Sequence, residues 1–136
     1  MPILKLGKIS YIEAAAESGS NRILKLMNRN YTVEEYKNCI NTIRKAHPKI
    51  IIRTQLIAGF PTETEEDFAE TIHLLDDIII DYVEVYEYAE RPGTLSEKIQ
   101  PKIPDQIKRQ RYQELYKKAL LNRTPRKLKN LLLRRP

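Results

Sequence analysis

Residues 49–61 read KIIIRTQLIAGFP, and the fold turns on how that run is taken. Its residues are largely β-branched and apolar, and Ala58-Gly59-Phe60-Pro61 closes it with turn formers, a pattern that predicts a strand. Upstream, KISYIEAAA is apolar and is closed by ESGS, which predicts a strand over residues 9–16. Ser20 is placed to cap a short helix over Asn21–Met27, with Ile23, Leu24 and Met27 on one face. Thr32 followed by Glu35 is a capping-box pattern. Tyr36, Ile40 and Ile43 then recur at helical spacing until His47-Pro48 ends the helix. Cys39 sits beside that stripe and reads as a small buried hydrophobe.

Downstream, Thr62 or Thr64 caps a helix whose acidic first turn, Glu65-Glu66-Asp67, suits the positive end of the helix dipole. Phe68, Ile72 and Leu75 form its inner face. DIIIDYVEVYEYA supplies a third strand, stopped by Arg91-Pro92-Gly93. Pro104-Asp105 opens a long helix through about Leu121, with Ile107, Leu115 and Ala119 beside a second stripe of Tyr112, Tyr116 and Leu120. Strand alternates with helix three times over short connections. That order predicts an α/β fold: a parallel sheet with helices outside. Three units do not close a barrel, so two strand edges and one face are left for association.

At 136 residues the chain is one domain's worth. No apolar run is long enough to cross a bilayer, and the first residues lack the pattern of a secretory signal, so the cytoplasm is the expected compartment and no membrane partner is expected. With Cys39 alone no internal disulfide can form. His47 and His73 are the only histidines, and no metal-ligand spacing exists. A single thiol cannot hold a conventional iron–sulfur cluster. The net charge of +6 is lopsided: residues 1–97 carry 11 Lys/Arg against 16 Asp/Glu, and residues 98–136 carry 13 against 2. Partner arguments therefore belong to the last third of the chain.

In parallel α/β sheets ligands lie beyond the carboxyl ends of the strands. Three turns meet there: Glu17-Ser18-Gly19-Ser20, Ala58-Gly59-Phe60-Pro61 and Tyr88-Ala89-Glu90-Arg91-Pro92-Gly93. Gly19 permits close backbone approach, Glu17 can accept hydrogen bonds from ribose hydroxyls, and Arg29 can hold a carboxylate in a forked contact. Ile57 and the tyrosines offer an apolar seat for an adenine. The plainer readings stand beside these: Glu17 and Arg29 as surface groups or an ion pair, Ile57 as core, and the turns as ordinary strand-to-helix corners. No nucleophile–base pair or paired carboxylates emerge, so no residue is assigned a catalytic role.

AESGSNRILKLMNRNYTVEEY, RTQLIAGFPTETEEDFAETI and YVEVYEYAERPGT, in that order, resemble the radical S-adenosylmethionine methylthiotransferases, which modify a tRNA adenosine derivative or a ribosomal-protein aspartate. The resemblance implies a partial (β/α) barrel over residues 1–122, the last three β/α units of an open radical-SAM-type barrel (a partial TIM barrel), followed by a basic tail over 123–136. It implies an S-adenosylmethionine site. Glu17, Ser18, Gly19 and Ser20 match the turn near the ribose, though Gln is usual at the first of these positions. Arg29 matches the contact to the methionyl carboxylate and Ile57 the contact to adenine. Gln55 stands where Asp is frequent, and Tyr86 and Tyr88 match the strand on the adenine side. The family's 4Fe-4S cluster is held by a C-x3-C-x2-C loop that this sequence does not contain. The expectation is therefore a chain that alone binds the cofactor weakly at best and performs no radical chemistry.

Lys108, Arg109, Arg111, Lys117 and Lys118 lie on or beside the long helix, and Arg123 to Arg135 continue the charge. Such a stripe can meet RNA phosphates, or be a solvated face and tail. Besides the enzyme fragment, two other readings stand: an RNA-binding or partner-binding half-barrel module, and an assembling one that pairs with its own copy or with a cysteine-bearing half.

Overall fold

Ile52, Thr54, Leu56 and Ala58 are buried, while Ile51, Arg53, Gln55 and Ile57 between them are not. The strand over Ile51–Ala58 thus turns one face to a core and the other outward, as the two-residue period of extended chain requires. It is the middle strand, β2, of the computed structural model, which describes residues 10–122. β1 (Tyr11–Glu13) and β3 (Tyr82–Glu87) flank it, both parallel to it, in the order β1-β2-β3. The helices are α1 (Asn21–Leu26), α2 (Val33–Ala46), α3 (Glu65–Asp77) and α4 (Asp105–Asn122). The result is the open partial α/β barrel of three β/α units that the element order predicts.

Tyr36, Ile40 and Ile43 of α2, Phe68, Leu74 and Leu75 of α3, and Leu115 and Ala119 of α4 form one core with the inward residues of the sheet. Truncating Phe68 to alanine would cost about 3–5 kcal/mol on general grounds. Cys39 packs half-buried against this core. Among the described residues no helix covers the opposite face of the sheet. Tyr11, Tyr82 and Tyr86 are about half exposed there, and Arg53 is ion-paired to Glu84.

β1 is shorter than the eight residues read from the sequence. Glu13 pairs with Arg53, but Glu17 pairs with Leu56, so one extra residue bulges from the first strand between them. Side chains satisfy the bulge's backbone. The Tyr36 hydroxyl donates to the Ala14 carbonyl at 2.7 Å, Tyr31 reaches the carbonyls of Ala15 and Ala16, and the Ala16 amide donates to Thr54 Oγ1 at 3.0 Å. Burial pushes the Tyr36 phenol up to about 12, so it remains a donor.

The capping residues act largely as their sequence suggests. Thr64, not Thr62, closes a full capping box with Asp67, and Thr32 caps α2 by accepting from the Glu35 amide. A 3-10 turn over Leu95–Lys98, not signalled in the sequence, fills the connection from β3 to α4.

Candidate functional site

A cleft of about 670 Å³ opens beyond the carboxyl ends of β2 and β3. Six of the nine residues expected to bind a cofactor line it: Glu17, Arg29, Gln55, Ile57, Tyr86 and Tyr88. They come from all three strand ends, up to 71 positions apart in the chain.

Arg29 reaches the cleft because α1 ends in a Schellman turn. Asn28 takes the left-handed conformation at φ 60°, its amide donates to the Lys25 carbonyl, and the Arg29 amide donates to the Leu24 carbonyl at 2.9 Å. The Arg29 guanidinium then donates to a Glu17 carboxylate oxygen at 3.1 Å. That contact uses one of its five N–H donors and leaves a fork open. Glu17 itself sits at φ 67°, a left-handed backbone that glutamate seldom adopts. β2 holds it there: the Glu17 amide donates to the Gln55 carbonyl and the Ile57 amide to the Glu17 carbonyl, both at 2.9 Å. Strain of this kind is kept where surrounding structure enforces it, commonly at functional sites.

The remaining three residues of the turn face inward. Ser18 and Ser20 are buried. The Ser18 hydroxyl lies 3.3 Å from the Thr71 hydroxyl, the Gly19 amide donates to Thr71 Oγ1 at 2.9 Å, and Ser20 donates to Asp67 at 2.7 Å. A Cβ on Gly19 would lie 2.5 Å from the Glu70 carbonyl oxygen, so this glycine is required by the approach of α3. The turn is locked onto α3 by its polar groups, and what it presents to the cleft is Glu17.

On the far wall Tyr88 packs edge-on against Phe60, with ring centroids 5.3 Å apart. Its hydroxyl is buried and, among the described residues, has no hydrogen-bond partner. Gln55 donates its amide to Glu13 at 2.8 Å. Glu87, Ala89, Arg91, Thr94 and Ser96 complete the lining. The sequence marks the turn that follows β3, but the 3-10 segment that brings Thr94 and Ser96 back to the cleft leaves no comparable pattern.

Behind the site, a Glu63 carboxylate oxygen accepts from the Gly59 amide at 3.0 Å and from Arg111 of α4 at 3.1 Å. Burial pushes the Glu63 carboxyl up, against the opposing pull of the Gly59 amide and Arg111. Arg111 also donates to the Glu63 carbonyl and to Glu65. The basic stripe expected along α4 therefore breaks up. Arg111 is buried in this network, Lys118 pairs with Asp76, and Lys108 faces Asp105, because α3 and the helix's own first turn supply acids. Arg109 and Lys117 stay exposed. The basic tail over 123–136 lies outside the described residues.

Comparison with known proteins fixes the family. Residues 2–75 match the Radical SAM superfamily. The chain belongs to that superfamily. It is 46% identical over 101 residues to the threonylcarbamoyladenosine tRNA methylthiotransferase MtaB of Aquifex aeolicus, covering 74% of this chain and 25% of that protein. It is 38% identical over 111 residues to the tRNA-2-methylthio-N(6)-dimethylallyladenosine synthase of Staphylococcus haemolyticus, covering 82% of this chain and 22% of that one. The chain thus spans about a quarter of the length of these curated relatives. Coproporphyrinogen III oxidase (HemN) from Escherichia coli, a radical SAM enzyme, shares the fold with a TM-score of 0.73 at 23% identity, over 88% of this chain and 28% of that one. The methylthiotransferase resemblance read from the three motifs holds, as does the partial barrel.

The residues present fit one of the superfamily's two groups and not the other. Open donors on Arg29 and acceptors on Glu17, in one cleft with Ile57 and the half-exposed ring of Tyr86, fit a polar nucleoside such as S-adenosylmethionine. They do not fit an iron–sulfur cluster, since the chain has one cysteine, placed on α2 against the core. Among the described residues no group of three or more His, Cys, Asp or Glu can hold a metal ion, and no helix is long and apolar enough to cross a membrane.

Proposed function

We propose that the cleft is part of the S-adenosylmethionine site of a tRNA methylthiotransferase, with the cluster-binding residues supplied from outside these 136. One observation carries this reading: Glu17, Arg29, Gln55, Ile57, Tyr86 and Tyr88 share one cleft with an orphaned buried hydroxyl in its wall. Arg29, steadied by Glu17, clamps the ligand's carboxylate through its free N–H groups. Glu17 accepts from the ribose hydroxyls with its second oxygen, and Ile57 and Tyr86 flank the adenine. Tyr88 gives its hydroxyl to a polar atom of the ligand and so loses its unpaired state. Radical chemistry is the cofactor's own contribution once bound.

The names of the relatives support tRNA as the substrate class, and the cytoplasm is the matching compartment. With a single thiol, the 136 residues alone are inactive and act as a binding piece. Isothermal titration of the chain with S-adenosylhomocysteine, a stable analogue, tests the site: wild type binds, and Arg29→Ala loses the heat. Equal heats in the two proteins would remove the ligand reading.

A further inference from the structure

Gly59 begins the turn behind the cleft wall. It lies two residues beyond Ile57, and the Tyr88 amide donates to the carbonyl of its neighbour Ala58 at 2.8 Å. The turn over residues 59–63 holds two left-handed residues, Gly59 at φ 84° and Thr62 at φ 70°. Threonine seldom adopts that backbone, which persists where surrounding structure enforces it. Here the enforcement comes from three directions. Arg22 of α1 donates to the Thr62 carbonyl at 2.6 Å, and the Thr62 amide donates to the Pro101 carbonyl at 2.9 Å. From α4 the Lys108 stem lies over Gly59, where a Cβ would collide with it.

Glu63 and Arg111, both buried, complete this brace. Their geometry is not the fork of a strong ion pair, which engages both carboxylate oxygens. Glu63 Oε1 alone accepts from Arg111 at 3.1 Å and from the Gly59 amide at 3.0 Å. Arg111 also donates to the Glu63 backbone carbonyl at 2.7 Å and to Glu65 at 2.8 Å. Glu63 Oε2 and Arg111 Nε are buried, and among the described residues neither has a hydrogen-bond partner. Bare buried atoms are costly, so an arrangement that keeps them calls for a reason. What this one achieves is a fixed acceptor on the Gly59 amide.

We propose that Arg111 and Glu63 are positioning residues for the cleft: Arg111 orients the Glu63 carboxylate, and the carboxylate holds the Gly59 amide and so sets the wall between Ile57 and Tyr88. The role depends on the cofactor reading for the identity of the ligand, and not for the brace itself.

Removing one member alone strands a buried charge and threatens the fold, so the test uses two double variants of the full chain that lack both charges. Arg111→Met with Glu63→Gln keeps an acceptor for the Gly59 amide. Arg111→Met with Glu63→Leu fills similar space and drops the acceptor. Each is titrated with S-adenosylhomocysteine, and the Gly59 amide is followed by heteronuclear NMR in the ligand-free proteins. A pair that only stabilises the fold would lower both melting temperatures and leave the affinity of the folded variants alike. The glutamine-bearing variant should bind within about three-fold of wild type and keep the Gly59 cross-peak near its wild-type position, because the hydrogen bond survives. The leucine-bearing variant, shown to be folded by a dispersed spectrum, should bind about ten-fold more weakly, in the range set by one buried hydrogen bond left unmade. Its Gly59 amide proton should move upfield. Equal affinities in the two variants overturn the proposal, as does a Gly59 cross-peak indifferent to the exchange of Gln for Leu. A ten-fold loss in the glutamine-bearing variant overturns it alone, whether or not the leucine-bearing one folds. A calorimetric blank in wild type, with the Gly59 shift difference intact, would sink the cofactor reading and leave the brace standing.

Discussion

Glu17 and Arg29 meet at 3.1 Å, with the whole of α1 folded between them, and the glutamate holds a left-handed backbone to make the contact. Glycine adopts that conformation at no steric cost, so Glu17→Gly should stabilise the free chain or leave it unchanged, the relieved strain being about 1 kcal/mol or more. The pair itself contributes little, since Arg29 is nearly half exposed. The same substitution should abolish S-adenosylhomocysteine binding. Thermal melts beside calorimetry check both outcomes, and a large loss of stability in Glu17→Gly would show that the carboxylate is structural.

Tyr88 makes the converse case. A buried hydroxyl without a partner costs about 1–3 kcal/mol, and Tyr88→Phe removes it while keeping the ring against Phe60. The variant should melt higher than wild type without ligand and gain less from added ligand. Equal ligand-induced shifts in both proteins would place the hydroxyl outside the site.

Gly19 should behave as a packing residue. Gly19→Ala drives a methyl to 2.5 Å from backbone atoms of α3, an overpacking expected to cost about 1–3 kcal/mol. A lowered urea midpoint with an unchanged slope is the expected result.

Asp67 sets a pH dependence. Burial works against its charge, yet Arg22, the Thr64 amide, Ser20 and the Thr64 hydroxyl outweigh burial and hold the carboxyl well below the usual carboxylate range. A folded-state value below the unfolded one contributes stability that is complete above about pH 4 and is lost as pH falls through the folded value. Asp67→Asn should therefore be less stable than wild type at pH 7, by about 1 kcal/mol or more from the cap alone, and the gap should close in acid. A gap independent of pH would contradict this assignment.

How much of this was legible depended on whether a pattern was local. The strand over 51–58 and α2, α3 and α4 follow from periodicity and caps that lie within a few residues of each other. The bulge after Glu13 does not, because Tyr31, Tyr36 and Thr54 satisfy it from other elements. Glu17 and Arg29 were legible as binding groups through a family resemblance and as an ion pair through their chemistry, and their geometry allows both. Ser18, Gly19 and Ser20 carry the same motif yet turn toward α3, a choice set by Thr71 more than fifty residues away. Arg111 reads as one more surface cation, and only the return of α4 across Glu63 shows it as buried.

The most direct test is the titration of the purified chain with S-adenosylhomocysteine, with Arg29→Ala and Tyr88→Phe alongside. One-site binding with a Kd of roughly 10 μM to 1 mM, weakened at least about ten-fold in Arg29→Ala, is the expected result. No heat in wild type, or isotherms that superimpose across the three proteins, would mean that the cleft beyond these strands does not hold the cofactor.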